Sequence, residues 1–198
     1  MNHISIDLET LGTEPSSVIV SIGACEFDLE TGQIGRCLYI PVSTDDQEDR
    51  SFTPSTLKWW MQQSDAAREV FNDVEAKSLS TALYLLDKWC DDWDNKKVWG
   101  NGSTFDISIL EDAYRFEQPW KFWNVRDMRT LIDVATLTSG FNRKLVNRVG
   151  VHHNALDDAI FQARVMCKAY EHINLKGYIP QPIVATAEAD DISLSNIK

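Results

Sequence analysis

The chain has 198 residues, 43% of them hydrophobic and 25% charged, the profile of one globular domain with room for a full core. Its formal charge of −11 argues against broad electrostatic capture of long nucleic acid, although acids that hold cations would add to the same count. No apolar run approaches the roughly 20 residues of a membrane span, and the N-terminus opens on a strand pattern rather than a basic, apolar signal segment, so the expectation is a cytoplasmic protein without membrane association.

In chain order, His3 to Glu9 alternates apolar and polar residues, the period of a strand. Thr10 to Ser17 is a turn-rich loop, Val18 to Phe27 a β-branched second strand, Glu30 to Gln33 a turn, and Arg36 to Val42 a third strand. Short connections between these runs predict an antiparallel meander. After the acidic loop Ser43 to Arg50, Thr53-Pro54 reads as the start of a helix over Ser55 to Gln63 that carries Trp59-Trp60. These two cannot face the same way, so one is expected in the core and the other bordering a substrate or partner. Ser64 is read as the cap of a short helix ending near Phe71. Leu79, Leu83, Leu86, Trp89/Cys90 and Trp93 keep helical spacing.

Lys97 to Gly100 is a short fourth strand, followed by a helix with Phe105, Ile109, Leu110, Ala113 and Tyr114 inward. Phe122 to Arg126 reads as a fifth strand, and Asp127 as the cap of the helix holding Met128, Leu131, Ile132 and Ala135. The last long helix begins near Asn154, with the stripe Leu156, Ala159/Ile160, Ala163, Met166/Cys167 and Tyr170. Strand–helix alternation after three hairpin-linked strands predicts an α/β domain with a mixed sheet. Residues 1–175 form that domain, and 176–198 read as a loosely attached tail. Cys25, Cys37, Cys90 and Cys167 form no CxxC or Cys/His cluster; among disulfides, a zinc site and buried free thiols, the last is favoured.

Three segments carry chemistry. Asp7 and Glu9 lie two apart on a strand, so both carboxylates project to one face and repel unless a cation sits between them. Asp106 stands in the first turn of a helix just past a strand end, where open α/β sheets place their sites. His153 stands at a helix entry, and Asp158 sits beside the apolar stripe of that helix. Taken singly, each has a bland reading: exposed strand-end acids, a dipole-favoured helix residue, a helix-entry histidine.

Taken in order, Asp7-x-Glu9, Asn101…Phe105-Asp106 and His153-x-Ala155-x-x-Asp158-Ala159 resemble the three motifs of the DEDDh 3′–5′ exonucleases of the ribonuclease-H-like superfamily. The Trp59-Trp60 helix and compact length are similar to the ribonuclease AS-like group, which includes phage and prophage exonucleases. The resemblance implies a five-stranded mixed sheet, the meander plus parallel strands, flanked by helices. It implies two Mg²⁺ or Mn²⁺ ions about 3.5–4 Å apart. Asp7 would bridge both, Glu9 and Asp158 would hold the ion carrying the attacking water, and Asp106 would support the other. His153 would be the general base. The implied substrate is single-stranded nucleic acid with a free 3′ end, cut to nucleoside 5′-monophosphates. Relatives are often dimers, and the seven Trp are compatible with a homodimer.

Thr10, Leu11, Gly12, Asn101 and Phe105 are the substrate-contact candidates beside the motifs; Leu11 stands where many relatives have a second Thr. Arg143, Lys144 and Arg148 are the densest basic group near the site, read as upstream phosphate contacts or a solvated face. His152 matches no motif position. Asp157, about 100° around the helix from Asp158, is read as facing solvent or supporting the site. Two other readings compete: a binding module of the same fold without turnover, and a phosphodiesterase for dinucleotides. Cleavage of a labelled strand separates the first, and relative rates on a dinucleotide and a longer strand the second.

Overall fold

The computed structural model describes residues 1–175; the expected tail, 176–198, lies outside the described residues. Five strands form one sheet: β1 (His3–Thr10), β2 (Ile19–Phe27), β3 (Ile34–Pro41), β4 (Lys97–Gly100) and β5 (Val125–Asp127). Their order is β3-β2-β1-β4-β5. The β1–β2 and β2–β3 pairs are antiparallel, and β4 and β5 run parallel to β1. Among the described residues six α-helices flank the sheet: α1 (Pro54–Trp60), α2 (Asp65–Arg68), α3 (Leu79–Trp89), α4 (Asp106–Ala113), α5 (Met128–Ser139) and α6 (Ala155–Leu175). This is the mixed sheet that the sequence pattern predicts, with the five strands that the resemblance implies.

The alternation in β1 separates two packed faces, not a dry face from a wet one. Ile4, Ile6 and Leu8 share a core with Leu83 and Leu86 of α3 and Ile107 and Leu110 of α4. On the other face Ser5 and Glu9 are also buried. There Cys25 and Phe27 of β2 pack with Met128 and Ala135 of α5 and Ala159, Ala163 and Met166 of α6. Two helical layers thus leave the carboxylates of β1 under α6.

Several element limits differ from the sequence reading. The third strand starts two residues earlier, at Ile34, and the first long helix stops at Trp60. The helix expected to reach Trp93 ends at Trp89, where Cys90 turns extended (φ −106°, ψ 124°). Cys90 and Trp93 remain in the core, so the apolar spacing outlasts the helix. The fifth strand begins at Val125; Phe122–Asn124 is a 3₁₀ turn with Phe122 and Trp123 exposed. Asn124 pins that turn, donating to the Asp94 carbonyl at 2.7 Å and accepting from Lys97 Nζ at 2.5 Å. The α6 stripe holds at Ala159, Ala163, Met166 and Cys167, which are buried as expected, but the buried face also takes in Ala155, Asp158, Gln162 and Val165, while Leu156 and Tyr170 at the ends of the expected stripe are partly exposed. All four cysteines are free; Cys25, Cys90 and Cys167 are buried, but Cys37 is exposed because β3 is an edge strand.

Two local devices set the site. Gly23 lies opposite Asp7 in the sheet. A Cβ there would come within 2.1 Å of the Ala155 carbonyl carbon and oxygen. Glycine at 23 and a small, fully buried Ala155 therefore let the start of α6 rest on the strand beside Asp7. The second device is Arg50. Its largely buried guanidinium pairs with Asp112 at 3.0 Å and donates to the carbonyls of Ser17 and Pro15, each at 2.9 Å. It fixes the loop after β1, which also pairs backbone to backbone through Leu11 N to Val18 O (2.9 Å) and Thr53 N to Leu11 O (2.9 Å).

Candidate active site

The carboxyl half of β1 points Asp7 and Glu9 at the first turns of α6. One atom each of Glu9, His153 and Asp158 lies within 4.8 Å of the others. Asp106, the first residue of α4, is buried and accepts a hydrogen bond from Leu8 N at 3.2 Å, which locks it behind β1. Asp7 accepts from Gln162 Nε2 at 2.5 Å. Asp158 pairs with Arg148 and accepts from His153 N at 3.3 Å. The five motif residues, far apart in sequence, are brought to one place.

The electrostatics of that place are unfavourable to bare carboxylates. Burial, then the charges of Asp106, Glu9 and Asp158, push Asp7 well above the usual carboxylate range. Burial and the charges of Asp158 and Asp106 push Glu9 up to about 8. Burial pushes Asp106 up to about 7 against the hydrogen bonds from Leu8 and Asn101. Burial, then His152, lowers His153. A cluster of dehydrated oxygen donors with so little cationic compensation suits a hard divalent ion, which would restore the charged forms. The residues present fit such a group.

His153 adopts a left-handed backbone (φ +65°), a conformation uncommon outside glycine in which His is enriched. Its ring meets Trp59 edge-on at 4.6 Å and His152 at 3.9 Å. The tryptophan pair divides as expected: Trp60 is buried and donates Nε1 to the Thr10 carbonyl at 2.9 Å, whereas Trp59 is 39% exposed. Trp59 forms part of the wall of an open cavity of about 630 Å³ over the acids.

Of the substrate-contact candidates, Thr10, Gly12, Asn101, Phe105, Arg143 and Arg148 line this cavity. Leu11 and Lys144 do not. Leu11 is committed to backbone pairing with Val18 and Thr53, and Lys144 lies in an exposed 3₁₀ turn. A Cβ at Gly12 would lie 2.6 Å from Ser17 Oγ, so a larger residue there would have to displace that hydroxyl. Asp157 supports the loop before α6 by accepting from Val151 N at 2.7 Å. Asp127 caps α5 through Thr130 N (3.1 Å) and also holds Ser103 N at 2.6 Å, tying the Asn101 loop down.

The sequence reading missed Gln162, Phe161, Thr13, Ser55 and Thr56, and set His152 aside; all six line the cavity. Gln162 carried a usable signal. It stands four residues after Asp158, hence on the same helix face, as a polar residue on a stripe buried against the sheet.

Comparison with known proteins adds relatives to this geometry. The family described as the 3′–5′ exoribonuclease Rv2179c-like domain matches residues 2–170. The chain is 29% identical over 162 residues to the exodeoxyribonuclease of enterobacteria phage T4, covering 67% of this chain and 71% of the phage protein. In structure it resembles S. pombe Pop2p in its Mg²⁺- and Mn²⁺-bound form, with a TM-score of 0.59 at 12% identity over 89% of this chain and 86% of that one. It also resembles E. coli exonuclease I in complex with a dA16 oligonucleotide, with a TM-score of 0.64 at 14% identity over 88% of this chain and 42% of that one.

Proposed function

The chain belongs to the 3′–5′ exoribonuclease Rv2179c-like domain family, and from that membership we propose that it is a two-metal-ion exonuclease that shortens single-stranded nucleic acid from a free 3′ end. The observation that carries the reading is the convergence of four carboxylates and one imidazole beneath one cavity. Asp7, Glu9, Asp106 and Asp158 would hold Mg²⁺ or Mn²⁺. Bound divalent ions supply a clamp on the attacking and leaving oxygens of an in-line phosphoryl displacement.

The chain's own residues do the rest. His153, partly buried and lowered in pKa chiefly by that burial, is suited to take a proton from the attacking water. Its left-handed backbone and the edge of Trp59 hold the imidazole over the acids. Gln162 fixes the Asp7 carboxylate by donating to one of its oxygens. Thr10, Gly12, Asn101 and Phe105 shape the wall where the terminal nucleotide would sit, and Arg143 and Arg148 place positive charge beside the path of the strand. The products are nucleoside 5′-monophosphates.

The test is a 5′-labelled single strand, offered as matched RNA and DNA, incubated with Mn²⁺. A ladder receding from the 3′ end is expected, absent with EDTA and lost in Asp7→Ala. Intact substrate of both kinds with folded protein would refute the proposal, and the ratio of the two rates gives the preferred sugar.

A further inference from the structure

Arg148 sits at a point where two different partners on α6 meet one guanidinium. It pairs with the carboxylate of Asp158. Its Cζ also lies 4.4 Å from the centre of the Phe161 ring. Asp158 and Phe161 are three residues apart, so a single turn of α6 offers both a charge and an aromatic face to the same side. The backbone that carries Arg148 is tied to that helix. Val151 N donates to Asp157, and Gly150, at φ +97°, lies against the same carboxylate, where a Cβ would meet Asp157 Cγ at 2.4 Å. Arg148 can therefore change partner by moving its side chain alone.

We infer that Arg148 is a two-position phosphate ligand: its guanidinium rests on Asp158 until a divalent cation takes that carboxylate, and then binds a phosphate of the substrate strand from the face of Phe161. The inference rests on the two-metal reading above. A dication beside Asp158 outcompetes a single positive charge for the carboxylate and repels the guanidinium. The Phe161 ring keeps an attraction for the displaced group and holds its flat fork at the cavity wall, where both residues are found. A planar guanidinium with paired donors suits two phosphate oxygens at once, a geometry that lysine lacks. One side chain thus reports metal loading to the substrate path: it shields the bare acid and becomes available to phosphate only in the loaded site.

The experiment pairs two readouts on wild type, Arg148→Gln and Arg148→Lys. The first is the Mn²⁺ concentration at half-maximal rise in melting temperature, without substrate. The second is KM for a labelled oligonucleotide at saturating Mn²⁺. Arg148→Gln should need several-fold less Mn²⁺, because the competing charge is gone, yet show a KM raised roughly ten-fold through loss of a charge-assisted contact. Arg148→Lys should keep a Mn²⁺ midpoint near wild type and still raise KM. A Mn²⁺ midpoint in Arg148→Gln that is unchanged or higher, or a wild-type KM in Arg148→Lys, would overturn the inference while leaving the two-metal reading intact. Wild type that shows no Mn²⁺ response refutes the two-metal reading, and the inference with it.

Discussion

Gly23 makes no contact with the chemistry, yet the geometry gives it control of the site. Replacing it by alanine places a Cβ 2.1 Å from the Ala155 carbonyl atoms and 2.3 Å from Leu156 N, where ordinary contact begins at 3.4 Å. These neighbours are backbone in the first turn of α6, so no side chain can swing away; the helix start must retreat by more than an ångström. His153 and Asp158 ride on that turn, while Asp7 and Glu9 stay in β1. Misplacement of this size costs about 100-fold in rate. The stability loss should resemble ordinary overpacking, about 1–3 kcal/mol, or roughly 2–12 °C in Tm for a chain of this size. Ala24→Gly, one residue along and on the opposite face, is the control: it weakens the same strand without touching α6. The assay is kcat on a labelled oligonucleotide alongside thermal melting. If Gly23→Ala and Ala24→Gly lose similar stability and Gly23→Ala retains the wild-type kcat, the seating of α6 does not govern the site.

Two further outcomes follow from the buried charges. Glu9 and Asp106, pushed up to about 8 and about 7, keep protons in the folded chain that an unfolded chain has released above about pH 4.5. The folded state then binds more protons than the unfolded state, so in EDTA stability should fall as pH rises from about 5 to 8. The lowered His153 acts in the opposite sense below its usual pKa. Saturating Mn²⁺ should flatten this slope, and melting temperatures in EDTA that climb across the window would contradict it. Arg50→Ala removes a largely buried guanidinium from the Ser17 and Pro15 carbonyls and from Asp112. Urea unfolding should show a loss of about 2–4 kcal/mol, with KM raised as the wall at Gly12 and Thr13 loosens; wild-type values for both would show the loop holds itself.

How much of this was legible in the chain depends on range. The meander of β1, β2 and β3 follows from alternation and short turns, and Asp127 and Ser64 read as caps because capping is a matter of three residues. Asp7 and Glu9 reveal their shared face through a period of two. Other features needed the third dimension. Trp93 keeps helical spacing because the core continues past the helix end at Trp89. Phe122 and Trp123 look like strand residues by type, but Asn124 pins them in a turn by bonds to Asp94 and Lys97, some 27 to 30 positions away. Leu11 has the chemistry to meet a base, yet it does not line the cavity over the acids. Gly23 could not be linked to Ala155 without knowing that α6 crosses β2 there.

The loop after β1 bears on the entropy of binding. With Arg50 holding two of its carbonyls and four backbone hydrogen bonds tying it to its neighbours (Leu11 to Val18, Val18 to Ser51, Ser51 to Ser16, and Thr53 to Leu11), this wall is ordered before any strand arrives. A substrate that meets a finished wall spends none of its affinity on organising it. On the proposed exonuclease reading, the same wall would be met afresh after every nucleotide removed, and the saving would recur at each step of shortening.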